Sequence, residues 1–231
     1  VEQEAEAIGA ATHDALTGLP NRRHFYEHLN RLKDTGSENG KGLAVLMVDL
    51  DGFKPINDTY GHATGDRLLV TAGQRLSMAV PEDVFVARIG GDEFSVLVPA
   101  ETPEEAAELD DRLCAELRKP FELGSITVHA GATVGVAFGD PQSTDVNDLV
   151  QQADFALLSA KRKTKGRSVV FTAEDSALMR RRVVIEQALR RCDLEKELTV
   201  FYHPQVDIKA NRITGCEVLA RWSSQELGFV D

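Results

Sequence analysis

The sequence predicts an α/β chain, an α+β sandwich whose central mixed sheet of about five strands is flanked by helices. Strand-like and helical periods alternate along residues 14 to 172. The run LAVLMVDL, residues 43 to 50, is apolar throughout and reads as a buried strand. Hairpin signals stand among helical crossovers, which excludes a doubly wound parallel sheet.

Residues 1 to 13, acidic and alanine-rich, are expected to be a connector helix entering from upstream. From Asn21, a capping residue, Phe25, Leu29 and Leu32 fall at helical spacing. GSENGKG ends that helix, and the buried strand follows. PINDTYGHATGD, residues 55 to 66, reads as a polar loop, and GDRLLVTAGQRLSMAV after it as a helix burying Leu68, Leu69, Ala72 and Leu76. VFVARI and FSVLVP alternate as two strands joined through Gly90-Gly91-Asp92-Glu93. Thr102, Pro103 and Glu105 open another helix with capping-box spacing. SITVHA and ATVGVAF are strand candidates, a helix runs from about Asp145 to Lys165 and stops at Gly166, and SVVF closes the unit. After residue 172 a long helix to about residue 198, the strand TVFYHPQVDI, a turn at KANR and the strand ITGCEVLARW begin a second unit.

Of the 231 residues, 42% are hydrophobic and 27% charged, the balance of a globular protein. A net charge of −11 argues against nucleic acid or an anionic membrane as the main partner. No apolar run is long enough to span a bilayer, and the N-terminal residues lack the order of a signal peptide. A cytoplasmic segment is expected, whose parent can still carry a membrane anchor. Cys114, Cys192 and Cys216, odd in number and set in apolar-patterned segments, are expected to be reduced core thiols.

The buried strand runs directly into Asp49 and Asp51, either a solvated strand end or a rigid seat for a divalent cation. If the hairpin strands lie in the same sheet, Asp92 and Glu93 come beside Asp49. Three carboxylates repel one another unless a cation stands between them, and hard oxygen ligands, with the Leu50 carbonyl among them, suit Mg²⁺. Gly90 and Gly91 leave room for a phosphate near the backbone. Together these residues read as a metal-dependent phosphoryl or nucleotidyl transfer site. Asp66 can accept two parallel hydrogen bonds from guanine and Asn57 can add amide contacts; singly, each also fits a capped turn. Lys161 and Lys165, one turn apart, suit triphosphate oxygens, although a basic last turn also complements the helix dipole.

DALTGLPNRR (14 to 23), DLDGFKPINDTYGHATGD (49 to 66) and RIGGDEF (88 to 94) resemble, in order and spacing, the motifs of GGDEF-domain diguanylate cyclases. The resemblance covers residues 14 to about 171 and implies a nucleotide cyclase or polymerase-palm fold. It implies condensation of two GTP into cyclic di-GMP and two pyrophosphates. By position, Asp49 and Asp92 with the Leu50 carbonyl would hold Mg²⁺ or Mn²⁺, Glu93 would join them, and Asp92 would help deprotonate the attacking hydroxyl. Asn57 and Asp66 match guanine contacts. Phe53, Lys54, Gly90 and Gly91 match further substrate contacts, and Lys161 the phosphate-contacting lysine. Lys165 and Arg167 compete for the next basic position. Each domain would supply half a site, so a homodimer is implied. Where many such cyclases carry an Arg-x-x-Asp inhibition site this chain has PEDV (81 to 84), so feedback inhibition there is not expected.

LTVFYHPQVDIKANRITGCEVLARW resembles the start of an EAL-type cyclic di-GMP phosphodiesterase, with EVL at Glu217 to Leu219. The expected organisation is a connector over 1 to 13, a GGDEF domain over 14 to 172, and a linker helix with an EAL fragment over 173 to 231. Glu217 and Arg221 would be a metal ligand and a phosphate contact only in a complete domain. The leading expectation is an active cyclase. The alternative is a catalytically silent GTP-binding module that regulates an attached phosphodiesterase.

Overall fold

Alternation along one strand organises the first unit. Strand β1 (Gly42–Asp51) is buried on both faces. Ala44, Leu46, Val48 and Leu50 enter one core and Leu43, Val45 and Met47 the other. The computed structural model describes residues 11–35, 41–82, 84–140, 144–163 and 165–230, which divide into two units, Val1–Asp175 and Ser176–Asp231. Residues 1 to 10 of the expected connector lie outside the described residues, as does Asp83 of the PEDV stretch.

Helix α1 (Arg22–Thr35) starts where the His24 N–H donates to the Asn21 side chain at 3.0 Å. Beyond β1 come α2 (Phe53–Tyr60), α3 (His62–Ala79), β2 (Phe85–Gly90) and β3 (Glu93–Ala100). Helix α4 (Pro103–Arg118) is capped by Thr102, which accepts from the Glu105 N–H at 3.3 Å, while the Glu105 carboxylate accepts from the Glu101 N–H. Then follow β4 (Phe121–Leu123), β5 (Ile126–Val128), β6 (Gly131–Gly139), α5 (Val146–Lys163) and β7 (Ser168–Val170).

The main sheet has five strands in the order β2-β3-β1-β6-β7, antiparallel except for the parallel β6–β7 pair. It is therefore mixed, as the hairpins and crossovers predict. Leu68, Leu76, Leu113 and Leu117 of α3 and α4 cover one face. Phe25 and Leu29 of α1, with Leu149 and Leu157 of α5, cover the other.

Two segments depart from expectation. The supposed loop 55–66 is helical, because Ile56 is buried and Phe53 packs beside the core, giving its polar residues an apolar stripe. A break at Gly61 (φ 82°) separates α2 from α3. Residues 126–128 do not join the main sheet; they pair with β4 in a two-stranded ribbon that buries Phe121, Leu123 and Val128.

In the second unit the expected continuous helix is two: α6 (Ala173–Arg191), which begins in the first unit, and α7 (Leu194–Glu197). Strands β8 (Leu198–Asp207), β9 (Arg212–Ser224) and β10 (Gly228–Val230) form an antiparallel sheet in the order β10-β9-β8. Glu197 accepts from Trp222 Nε1 at 3.0 Å, fixing α7 to β9. Phe201, Tyr202, Ile213 and Val218 of this sheet are exposed. The cysteines are free, but only Cys114 is a core thiol; Cys216 is exposed and Cys192 half-buried. No helix among the described residues is long and apolar enough to cross a membrane.

Candidate active site

Strand pairing assembles the site. Asp49 lies opposite Glu93 of β3 on one side and Thr133 of β6 on the other, so three side chains form a row across three strands. The Leu50 N–H donates to the Asp92 carbonyl at 3.2 Å, which joins the hairpin turn to the end of β1. Gly90 and Glu93 are the last paired residues of β2 and β3, so the turn is Gly91-Asp92, and Ile89 is an extra residue in β2. Gly91 has φ 54°, a left-handed conformation that suits glycine. A side chain built at Gly90 or Gly91 would meet nothing within 4 Å, so space is open above both.

Asp49 is 7% exposed, and like charges opposite one another in a sheet are unfavourable. Burial pushes its carboxyl above the ordinary carboxylate range; the Lys161 ammonium opposes that, and the Asp92 and Glu93 charges add to it. Lys161, near the end of α5, reaches Asp49 Oδ2 at 2.5 Å. The expected convergence of three carboxylates is thus not reached: among the described residues no group of three His, Cys, Asp or Glu side chains is arranged to hold a metal ion. The physical reason is repulsion between the acids, with Asp49 taking an ammonium as counter-charge. The donor set still fits a hard divalent cation, because the strand ends gather carboxylate oxygens in a negative field that holds a cation at Asp49.

Asp51 is tied to Thr133, the third member of that row. The buried Thr133 hydroxyl donates to it at 2.9 Å and accepts from the Gly166 N–H at 3.0 Å. Lys165 and Arg167, both exposed, flank Gly166 and are held by that link on the Asp51 side of the sheet. Phe53 and Lys54 open α2 directly after β1. Gly52 brings no side-chain cap, so the first-turn N–H groups are placed for an anion.

Asn57 is half-buried, and its Oδ1 has no hydrogen-bond partner among the described residues. Asp66 is exposed on α3 and lines a cleft of about 300 Å³ with Leu16, Val70, Glu122 and Gly124. Leu16 and Val70, not foreseen from the sequence, give that cleft apolar walls suited to a planar base. Also unforeseen is Arg88, whose guanidinium bonds both Asp14 and the Gly91 carbonyl. Leu16 and Arg88 lie inside the family motifs, which is the available signal, whereas Val70 lies beyond them.

Residues 11–167 match the family described as diguanylate cyclase, GGDEF domain. The chain is 33% identical over 227 residues to the bifunctional diguanylate cyclase/cyclic di-GMP phosphodiesterase MucR of Pseudomonas aeruginosa, covering 97% of this chain and 33% of MucR. It is 32% identical over 228 residues to the cyclic di-GMP phosphodiesterase PdeR of Escherichia coli, covering 99% of this chain and 34% of PdeR. The chain thus spans about a third of the length of these curated relatives. Among solved structures, the GGDEF domain of TpbB (YfiN) from Pseudomonas aeruginosa matches with TM-score 0.68 and 36% identity, over 73% of this chain and 99% of that one. The coiled coil and GGDEF domain of DgcB from Caulobacter crescentus, solved with c-di-GMP, match with TM-score 0.67 and 27% identity, over 73% and 90%.

Proposed function

Because this chain belongs to the GGDEF diguanylate cyclase family, we propose that it condenses two GTP into cyclic di-GMP and two pyrophosphates at the interface of a homodimer. The observation that carries the reading is the row Glu93–Asp49–Thr133, with Asp92 in the adjoining turn and Lys161 facing Asp49. Asp49, Asp92 and the Leu50 carbonyl would hold Mg²⁺ or Mn²⁺, with Glu93 beside them. When bound, the ion supplies charge stabilisation at the reacting phosphate.

Each 3′-hydroxyl oxygen forms a bond to the α-phosphorus of the other GTP, the bond from that phosphorus to the bridging oxygen breaks, and pyrophosphate leaves. Asp92 takes the hydroxyl proton. Lys161 and a basic group from Lys165 or Arg167 hold phosphate oxygens, the first-turn N–H groups of Phe53 and Lys54 add donors, and Gly90 and Gly91 admit the triphosphate. Asn57 and Asp66 read the guanine edge. Each copy brings one GTP, so a two-fold pairing of the hairpins completes the reaction.

A second reading is supported by PdeR, a relative named for phosphodiesterase activity alone. In it the domain binds GTP without turnover and regulates an EAL domain, whose linker helix and first strands residues 173 to 231 supply. Incubating the chain with GTP and Mg²⁺ and chromatographing for cyclic di-GMP, with Asp92→Ala as control, separates the two. Product that vanishes in Asp92→Ala supports the cyclase. GTP binding without product, at concentrations where dimers form, overturns it in favour of the regulatory module.

A further inference from the structure

Asn57 of α2 and Gly65 of α3 meet in a contact that any side chain at position 65 would displace. Gly65 is buried in the first turns of α3, where helix propensity favours alanine over glycine. Its φ is not positive, so backbone conformation gives no reason for glycine either. The reason lies in its neighbour: a Cβ at Gly65 would overlap Asn57 Oδ1 and approach the Asn57 Cγ to 2.8 Å. The carboxamide is seated against the Gly65 backbone, and Oδ1 is held there, buried and unpaired among the described residues. An acceptor buried without a donor is unfavourable and points to a ligand that completes it.

We propose that Gly65 is a positioning residue for base recognition: its missing side chain holds Asn57 Oδ1 as an acceptor for an N–H on the edge of a purine. Asp66 follows Gly65 directly, so two acceptors lie at the start of one helix. Guanine presents a ring N–H and an exocyclic amine on that edge, whereas adenine has only the amine. The inference rests on the cyclase reading, in which GTP is the ligand. Gly65 touches no substrate itself; it acts through Asn57.

The test is calorimetric titration of the full chain with GTP and with ATP, alongside thermal melting, for wild type, Gly65→Ala, Asn57→Ala and the double variant. Gly65→Ala is expected to weaken GTP binding about tenfold, the size of one lost hydrogen bond. Its preference for GTP over ATP falls with it, and its Tm equals or exceeds that of wild type. In the Asn57→Ala background the second substitution adds nothing. GTP affinity unchanged in Gly65→Ala, or an effect that adds in full to Asn57→Ala, overturns the role of Gly65 while leaving the cyclase reading intact. A Gly65→Ala chain that melts well below wild type also overturns it, because the glycine would then serve core packing. A wild-type chain that binds no GTP overturns the nucleotide reading, and the role of Gly65 with it.

Discussion

The Arg88 guanidinium donates to Asp14 across 2.8 Å, although the two residues are 74 positions apart. Its remaining N–H groups donate to the Gly91 carbonyl at 2.8 and 3.2 Å. One side chain thus fixes the hairpin turn to the turn that opens the domain, where Thr17 also donates to Asp14. Asp92 inherits its position from that clamp.

Partial burial tends to raise the Asp14 pKa, but the Arg88 guanidinium and the Thr17 donors hold it below the usual carboxylate range. A depressed folded value means that the stabilisation is present above the unfolded value of 3.8 and lost as pH falls through the folded one. Urea unfolding should therefore find Asp14→Asn less stable than wild type by about 1–2 kcal/mol at neutral pH. The gap should close in strong acid. A gap independent of pH would show that the aspartate acts through shape rather than charge.

Removing the Lys161 ammonium leaves Asp49 buried and facing two further acids. Lys161→Ala should lose about 1–3 kcal/mol of stability. Millimolar Mg²⁺ should raise the melting temperature of this variant more than that of wild type, because the ion can take the ammonium's place beside Asp49. Equal Mg²⁺ responses in both proteins would contradict a shared site.

Asp110 of α4 is 2% exposed, and burial raises its carboxyl from an ordinary 3.8 to about 6. Here the sign is opposite: the folded state favours the protonated form, so stability is lost as pH rises from about 4 to about 6 and stays lower above that. The penalty at pH 7 is about 3 kcal/mol at most. Asp110→Asn should consequently flatten the pH dependence of unfolding across that interval, which denaturation at a series of pH values measures directly.

Cys114 donates its thiol to Asp110 at 3.7 Å; burial, then the Asp110 charge, push its pKa up to about 12. Iodoacetamide at mildly alkaline pH should label the exposed Cys216 first and leave Cys114 untouched until the chain unfolds. Peptide mapping by mass spectrometry reads the order. Early labelling of Cys114 would place α4 in a mobile rather than a packed state.

Much of the first unit was legible because its signals are local. Unbroken apolar sequence marks β1, and Asn21 and Thr102 announce their helices by side-chain chemistry. Helix α2 is hidden in the sequence because Lys54, Pro55, Asn57, Asp58 and Thr59 fill most of its positions and only Phe53 and Ile56 supply the stripe. Strand β4 was hidden because three residues carry no period. Within the site, Asp49, Asp92 and Glu93 could be read from a strand end and a turn. The Lys161–Asp49, Arg88–Asp14 and Thr133–Asp51 pairs could not, since each depends on the register of segments far apart in sequence. Gly65 is silent in the sequence, because a glycine in a helix carries no signal until its neighbour across the contact is known.

The pairing of Asp49 with Glu93 restricts how this domain can change length. The same register places Leu46 opposite Val96 and Val48 opposite Phe94, so core and acids are counted from one alignment. A single residue inserted between Glu93 and Phe94 would either remove Glu93 from Asp49 or move Phe94 and Val96 to the opposite face of the sheet. Variation in chain length will be tolerated in the loops beyond the paired strands, whereas the hairpin carries a fixed count that neither folding nor chemistry allows to drift.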